Sequence, residues 1–393
     1  MLYLLAALTA SPAAAQDMAD TASLAPGPVV SLVTVSPGSS VSARFGHAAL
    51  VLDEPASDST ARAWSFGQSG LDGWAAVATL VRGGLPDGAR VVDADSMISA
   101  QLEAGRDVRI QTLALDAASV AGLREALRAE RGLGDPYRFF DANCTTRIRD
   151  LLDLALEGRL SAATVGVSSP WTRRERVAAY TAPDPLLHVT IHSLLGTGVD
   201  APADRWQQLF LPETLADALD EAGVVVEDRT LRGSDRVWAP PSPRPVAGVG
   251  WLVAGLFLGG LVAFTASKVG TALGAVWSVF AGLAGVGVLA LQATAVHPLM
   301  AGNLNGWLLN PLWLGVAVMA WGRRPNAPRS YELAVVITGG STVLVLGALF
   351  GVVGGVSSAL AAIVVPAHLG LAFRLGRRSR RGAHHIDGPE APR

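Results

Sequence analysis

The chain has a single cysteine, Cys144, in the run Phe139-Phe140-Asp141-Ala142-Asn143-Cys144-Thr145-Thr146-Arg147-Ile148-Arg149-Asp150. Asn143 is a good N-cap, and apolar residues follow at Ile148, Leu151, Leu152 and Leu154, so the run reads as the opening of a helix. A thiol in the first turn feels unpaired N–H groups and the positive end of the macrodipole. Both favour the thiolate, which is the nucleophilic form. Most free cysteines are small buried hydrophobes. The position at a helix start favours the nucleophile over that bland reading.

Cysteine catalysis needs a base for the thiol proton, and histidine serves best near neutral pH. It also needs a polar side chain to fix the imidazole tautomer. Of seven histidines, His384 and His385 fall in a C-terminal tail, and His297 and His368 in a strongly apolar region. That leaves His47, His188 and His192. His47 opens the small, apolar run His47-Ala48-Ala49-Leu50-Val51-Leu52, which reads as a buried strand. A second strand candidate, Arg62-Ala63-Trp64-Ser65-Phe66-Gly67, follows a polar turn. His188 and His192 lie one helical turn apart, but no nearby carboxylate or cysteine completes a metal set.

The elements that must position these residues divide in two. Half of all residues are hydrophobic and only 16% charged, unevenly spread. Residues 1–15 are mostly apolar and end in Ala13-Ala14-Ala15, like a secretory signal, although the basic n-region is absent and an N-terminal anchor is the alternative. Residues 20–240 have the composition of a soluble α+β domain. The run Trp238-Ala239-Pro240-Pro241-Ser242-Pro243-Arg244-Pro245 is a stiff linker.

Residues 246–373 then hold about five membrane-length apolar runs, at 246–266, 271–291, 307–321, 333–353 and 357–373. With the first domain exported, Lys268, the loop at 323–329 and the basic tail 374–393 fall on the cytoplasmic side. The loops at 297–305 and 354–356 carry no Lys or Arg, as the positive-inside rule requires of the other side. One cysteine excludes an internal disulfide. No Walker loop, lipobox or zinc spacing is present, and a net charge of −2 gives no support to nucleic-acid binding.

The Gly46-His47-Ala48-Ala49-Leu50 strand and the Asn143-Cys144-Thr145-Thr146-Arg147 helix start together resemble the bacterial Lnb family of lipoprotein N-acyltransferases. The likeness extends over 137–150, to Leu195-Gly196-Thr197-Gly198-Val199-Asp200 and Leu209-Phe210-Leu211-Pro212, and to His297-Pro298 with Asn303, Asn305, Asn310 and Pro311. It implies a papain-like exported domain of circularly permuted NlpC and lecithin:retinol acyltransferase type, followed by an all-α transmembrane bundle of about five helices. It places the chain in the bacterial inner membrane with its catalytic domain in the periplasm.

Carried over, Cys144 is the nucleophile and His47 its base. Ser65 is the third member, where the family more often has an amide. Asn143, Arg147, His297, Asn303 and Asn305 become candidates for substrate binding. Each also has a structural reading: a helix cap for Asn143, pairing with Asp150 for Arg147, and hydrogen bonds between helices for the other three. The resemblance implies an acyl chain moved from a phospholipid donor, through a Cys144 thioester, to the N-terminal amine of a diacylated lipoprotein. Backbone N–H groups at Cys144 and a neighbour could hold the oxyanion. The partners are a membrane and those two lipids, with no nucleic acid, cofactor or metal.

Two alternatives stand beside this. A membrane-anchored cysteine hydrolase, either a phospholipase or a cell-wall peptidase or amidase, would use the same nucleophile and base. A non-catalytic lipoprotein-binding receptor would need neither.

Overall fold

The computed structural model describes residues 27–54, 60–67, 73–81, 83, 88–130, 136–234, 248–294, 300–322 and 325–386. The 1–15 segment, the whole proline-rich linker 238–245, His297 and the Arg323-Arg324 pair lie outside them.

A run rich in β-branched residues, Val-Val-Ser-Leu-Val-Thr-Val, forms β1 (Val29–Val35), buried at every position but its first. It pairs antiparallel with β2 (His47–Asp53) and, through intervening elements, with β5 (Val108–Leu113). Outward from these lie β3 (Arg62–Ser65), β4 (Arg90–Asp93) and β6 (Val225–Leu231), giving an antiparallel sheet in the order β4-β3-β2-β1-β5-β6. Alternate residues serve opposite faces. Leu32, Leu50 and Trp64 join one cluster with Leu123 of α3 (Ala117–Ala129), Ile148 and Leu152 of α4 (Cys144–Ala155) and Leu215 of α9 (Pro212–Glu221). Val33, Ala49, Val51 and Ala63 join the other with Met97 of α2 (Ala94–Glu103).

The remaining helices of this part are α1 (Gly73–Val81), α5 (Arg159–Thr164), α6 (Arg173–Thr181), α7 (Pro185–Leu194) and the short α8 (Arg205–Gln208). The N-terminal part is thus α/β with an antiparallel sheet.

The C-terminal part is helical: α10 (Gly248–Phe264), α11 (Ser267–Thr294), α12 (Asn305–Leu309), α13 (Trp313–Trp321), α14 (Ala327–Leu349) and α15 (Ser358–Ile386). Among the described residues three helices, Lys268–Thr294, Ala327–Leu349 and Ser358–Arg380, are long and apolar enough to cross a membrane; Val249–Phe264 is apolar but shorter. Two expectations change. The run at 307–321 is no single helix: Asn310 sits at φ 48° and Pro311 has no N–H, so the chain breaks between α12 and α13. The last run does not end at Phe373 but continues as helix through Ile386. There Arg374 donates to the Val262 carbonyl at 3.1 Å and Arg378 to that of Ala320 at 2.9 Å, tying the basic end to neighbouring helix ends.

At the other end the bundle meets the α/β part. Thr197 N–H donates to the Ala301 carbonyl at 3.0 Å, and Gly355 N–H to the Asp200 carboxylate at 2.6 Å. Arg174 holds that same carboxylate through Nε at 2.5 Å. The loops without Lys or Arg are therefore the ones that touch the N-terminal part. The arginines begin about 24 Å further along α15, given a rise of ~1.5 Å per residue.

Candidate active site

Cys144 is the first residue of α4, and the capping that fixes it is complete. Asn143 Oδ1 accepts from Thr145 N–H at 2.9 Å and from Thr146 N–H at 2.8 Å. In return, Thr146 Oγ1 accepts from Asn143 N–H at 2.8 Å, closing a capping box. Asn143 Nδ2 donates to the Phe139 and Phe210 carbonyls, both at 2.8 Å. Every polar atom of this side chain is engaged inside the fold. The Thr145 and Thr146 N–H groups are likewise taken, which removes them as oxyanion donors.

His47 opens β2. Gly46 before it holds φ +78°, and a Cβ there would lie 2.8 Å from the Val35 carbonyl, so this turn into the strand requires glycine. Ser65 pairs with Ala49 across the β2–β3 ladder, on the same face as His47 and one diagonal step away. His47 Nε2 and Ser65 Oγ are 2.7 Å apart, with Ser65 fully buried. Nε2 is thus the ring nitrogen engaged with Ser65. Just past β3, a Cβ on Gly67 would lie 3.9 Å from the Cys144 backbone nitrogen. The chain just past the end of β3, two residues beyond Ser65, thus lies against the helix start that carries Cys144.

Three residues that local sequence patterns did not single out complete the surroundings. Arg106 donates through Nε to the Ser36 carbonyl at 2.7 Å and through Nη1 to Gln101 at 2.6 Å, while its buried Nη2 has no partner. Burial lowers this guanidinium to about 10, against the pull of Glu213 and Cys144. Its charge also reaches His47, whose ring burial first, and Arg106 second, lowers to about 4. His47 is therefore a neutral imidazole at neutral pH. Glu213, in the first turn of α9, accepts from Tyr180 Oη at 2.7 Å through Oε2, while its buried Oε1 has no partner. Burial raises its carboxyl to about 7, with Asp217 adding to the rise and Tyr180 and Arg106 opposing it.

Residues 15–179 match the family model of the Lnb N-terminal periplasmic domain. The match assigns that N-terminal part of the chain to the Lnb type. No curated protein and no solved structure matches it.

Other predicted positions fall elsewhere. Asp150 is bonded by Arg149 at 2.7 Å, and Arg149 stacks over Trp206. Asn303 Nδ2 donates to the Ser193 carbonyl at 2.9 Å, and Asn305 Nδ2 to carbonyls of His192, Ser193 and Gly355 within 3.3 Å. Asn305 Oδ1 accepts from Ser357 N–H at 2.8 Å. Both asparagines are fully buried and pin α7 of the periplasmic domain to the helical part. His188 and His192 belong to that same contact: their rings lie 4.3 Å apart, and His188 stacks on Trp251 of α10. Burial lowers His192 to about 2, with His188 and Arg174 adding to the effect. Among the described residues no group of three or more His, Cys, Asp or Glu could hold a metal.

Proposed function

We propose that this protein is a membrane-bound lipoprotein N-acyltransferase with Cys144 as nucleophile, His47 as base and Ser65 as the group that positions His47. The observation that carries the reading is the 2.7 Å His47–Ser65 contact beside a cysteine at a capped helix start, within an Lnb periplasmic domain. The order is that of a permuted papain-like domain, with the histidine strand ahead of the cysteine helix. Multiple passes through the inner membrane would hold the site at the leaflet where both lipid substrates present their headgroups.

In the first half-reaction His47 Nδ1 takes the thiol proton, and the sulfur attacks an ester carbonyl of a phospholipid. A C–S bond forms, the ester C–O bond breaks, and the proton passes to the departing lysolipid oxygen. In the second, the free amine of a diacylated lipoprotein attacks the thioester, a C–N bond forms, His47 accepts the amine proton, and the C–S bond breaks to release the thiolate. Arg106 stabilises that thiolate by charge. Arg147, on the first turn of α4, remains a candidate for a headgroup phosphate. Asn143 positions Cys144, and Asn303 and Asn305 position the domain on its helices, none of the three meeting substrate.

Intact-mass measurement of the purified chain after incubation with phospholipid vesicles tests the first half. One added acyl mass, removed by neutral hydroxylamine and absent in Cys144→Ala, is expected. No acyl mass on wild type despite lysolipid release would point to hydrolysis without the transferase intermediate.

A further inference from the structure

Glu213 has no role in the thiol–imidazole chemistry, yet it is built into the same site. Its residue is 5% exposed, and its carboxylate faces charged or titratable groups from every neighbouring element. These are Tyr180 and Arg176 on α6, Asp217 on its own helix and Arg106 ahead of β5, while Gly46, the residue before His47, packs against it. Tyr180 fixes Oε2. Oε1 lies 3.3 Å from where a Gly46 Cβ would stand, one residue from the base, with no hydrogen-bond partner. Arg106 carries the matching orphan, Nη2, and no Arg106–Glu213 ion pair is present among the described residues. A buried carboxylate with one oxygen held by a tyrosine and the other lacking any hydrogen-bond partner is short of one donor.

We propose that Glu213 Oε1 receives the protonated primary amine of the acyl acceptor and takes one proton from it before the amine attacks the Cys144 thioester. This rests on the transferase reading. The step balances: R–NH3+ and Glu213 carboxylate give R–NH2 and the carboxylic acid. The amine nitrogen then bonds to the acyl carbon, its second proton goes to His47, and the C–S bond breaks to release thiolate. His47 suits the second proton better than the first. An N-terminal ammonium titrates near ~8, so handing its proton to a ring at about 4 is uphill by roughly 10^4, but to a carboxyl at about 7 by roughly tenfold.

The test is Glu213→Gln in the full-length chain, with thioester formation from vesicle phosphatidylethanolamine and acyl transfer to a diacylated lipopeptide followed separately. Transfer falls relative to acylation by on the order of 100-fold, the contribution of a positioned base, and the Cys144 thioester accumulates. An equal fall in both half-reactions, or no change in their ratio, overturns the assignment. Tyr180→Phe supplies a second test that leaves Glu213 in place. Losing the hydroxyl that stabilises the carboxylate raises the acid limb of transfer in pH, and an unmoved limb overturns the assignment as well. A wild-type chain that forms no thioester refutes the transferase reading itself and is distinguishable from either result.

Discussion

Replacing Asn143 with alanine should loosen the periplasmic domain at the point that holds the nucleophile. Loss of an N-cap side chain costs about 0.5–2 kcal/mol. Here the same change also removes a donor from the part-buried Phe139 carbonyl and from the buried Phe210 carbonyl, and each such loss costs about 1–3 kcal/mol. The sum, roughly 2.5–8 kcal/mol, is a large fraction of the ~5–15 kcal/mol that keeps a domain folded. At about 2–4 °C per kcal/mol for a domain of this size, the midpoint should fall by roughly 5 °C or more. Cys144 is the sole thiol, so a thermal scan with a thiol-reactive fluorophore reports this part of the chain rather than the bundle. Asn143→Ser, which keeps the cap but not the two donations, should fall between wild type and Asn143→Ala. A midpoint for Asn143→Ala within ~3 °C of wild type would refute the accounting.

Thioester formation in His47→Gln should drop by about 10^2–10^4, with a smaller loss in Ser65→Ala; an equal loss in both would make Ser65 more than a positioning group. Because His47 is lowered from 6.5 to about 4, the acid limb of acylation should lie near pH 4, and a limb between 6 and 7 would contradict the burial of this ring. The same depression puts a stability contribution in place above pH 6.5 that is lost as pH falls towards 4, visible as a declining midpoint over that window in wild type but not in His47→Gln. Gly196→Val should separate the periplasmic domain from the bundle, since a Cβ there would stand 1.9 Å from the Ala301 carbonyl. Limited proteolysis would find the 195–200 segment cut faster, and unchanged protection would argue against this contact.

The parts of the site legible in sequence were those whose signals are local. Asn143 before Cys144 is a cap read from residue types alone, and the continuous small, apolar run after His47 marked the strand that Ser65 faces. Arg106 and Glu213 gave no such signal. A Glu after Pro212 at a helix start reads as a solvated partner of the macrodipole. Its burial comes from β1 and α6 closing over it, contacts made with residues distant in sequence. Arg106, after a helix-ending glycine, likewise looks like a surface residue until Ser36 and Gln101 are placed around it. In the helical part, hydropathy found the apolar runs but not the break at Asn310-Pro311, because the residues on both sides are equally apolar. Asn303 and Asn305 looked like a polar motif of the membrane face. Their partners are carbonyls of α7, more than 100 residues earlier, which no spacing rule could supply.

Whether the chain N-acylates lipoproteins can be read from the N-terminal peptide of a reporter lipoprotein by mass spectrometry. The host is a bacterium depleted of its own N-acyltransferase and carrying either wild type or Cys144→Ala. A third, amide-linked acyl chain with wild type and none with Cys144→Ala is the predicted result. A reporter that stays diacylated with wild type present in the membrane would contradict the transferase reading, and so would a triacylated reporter in both strains.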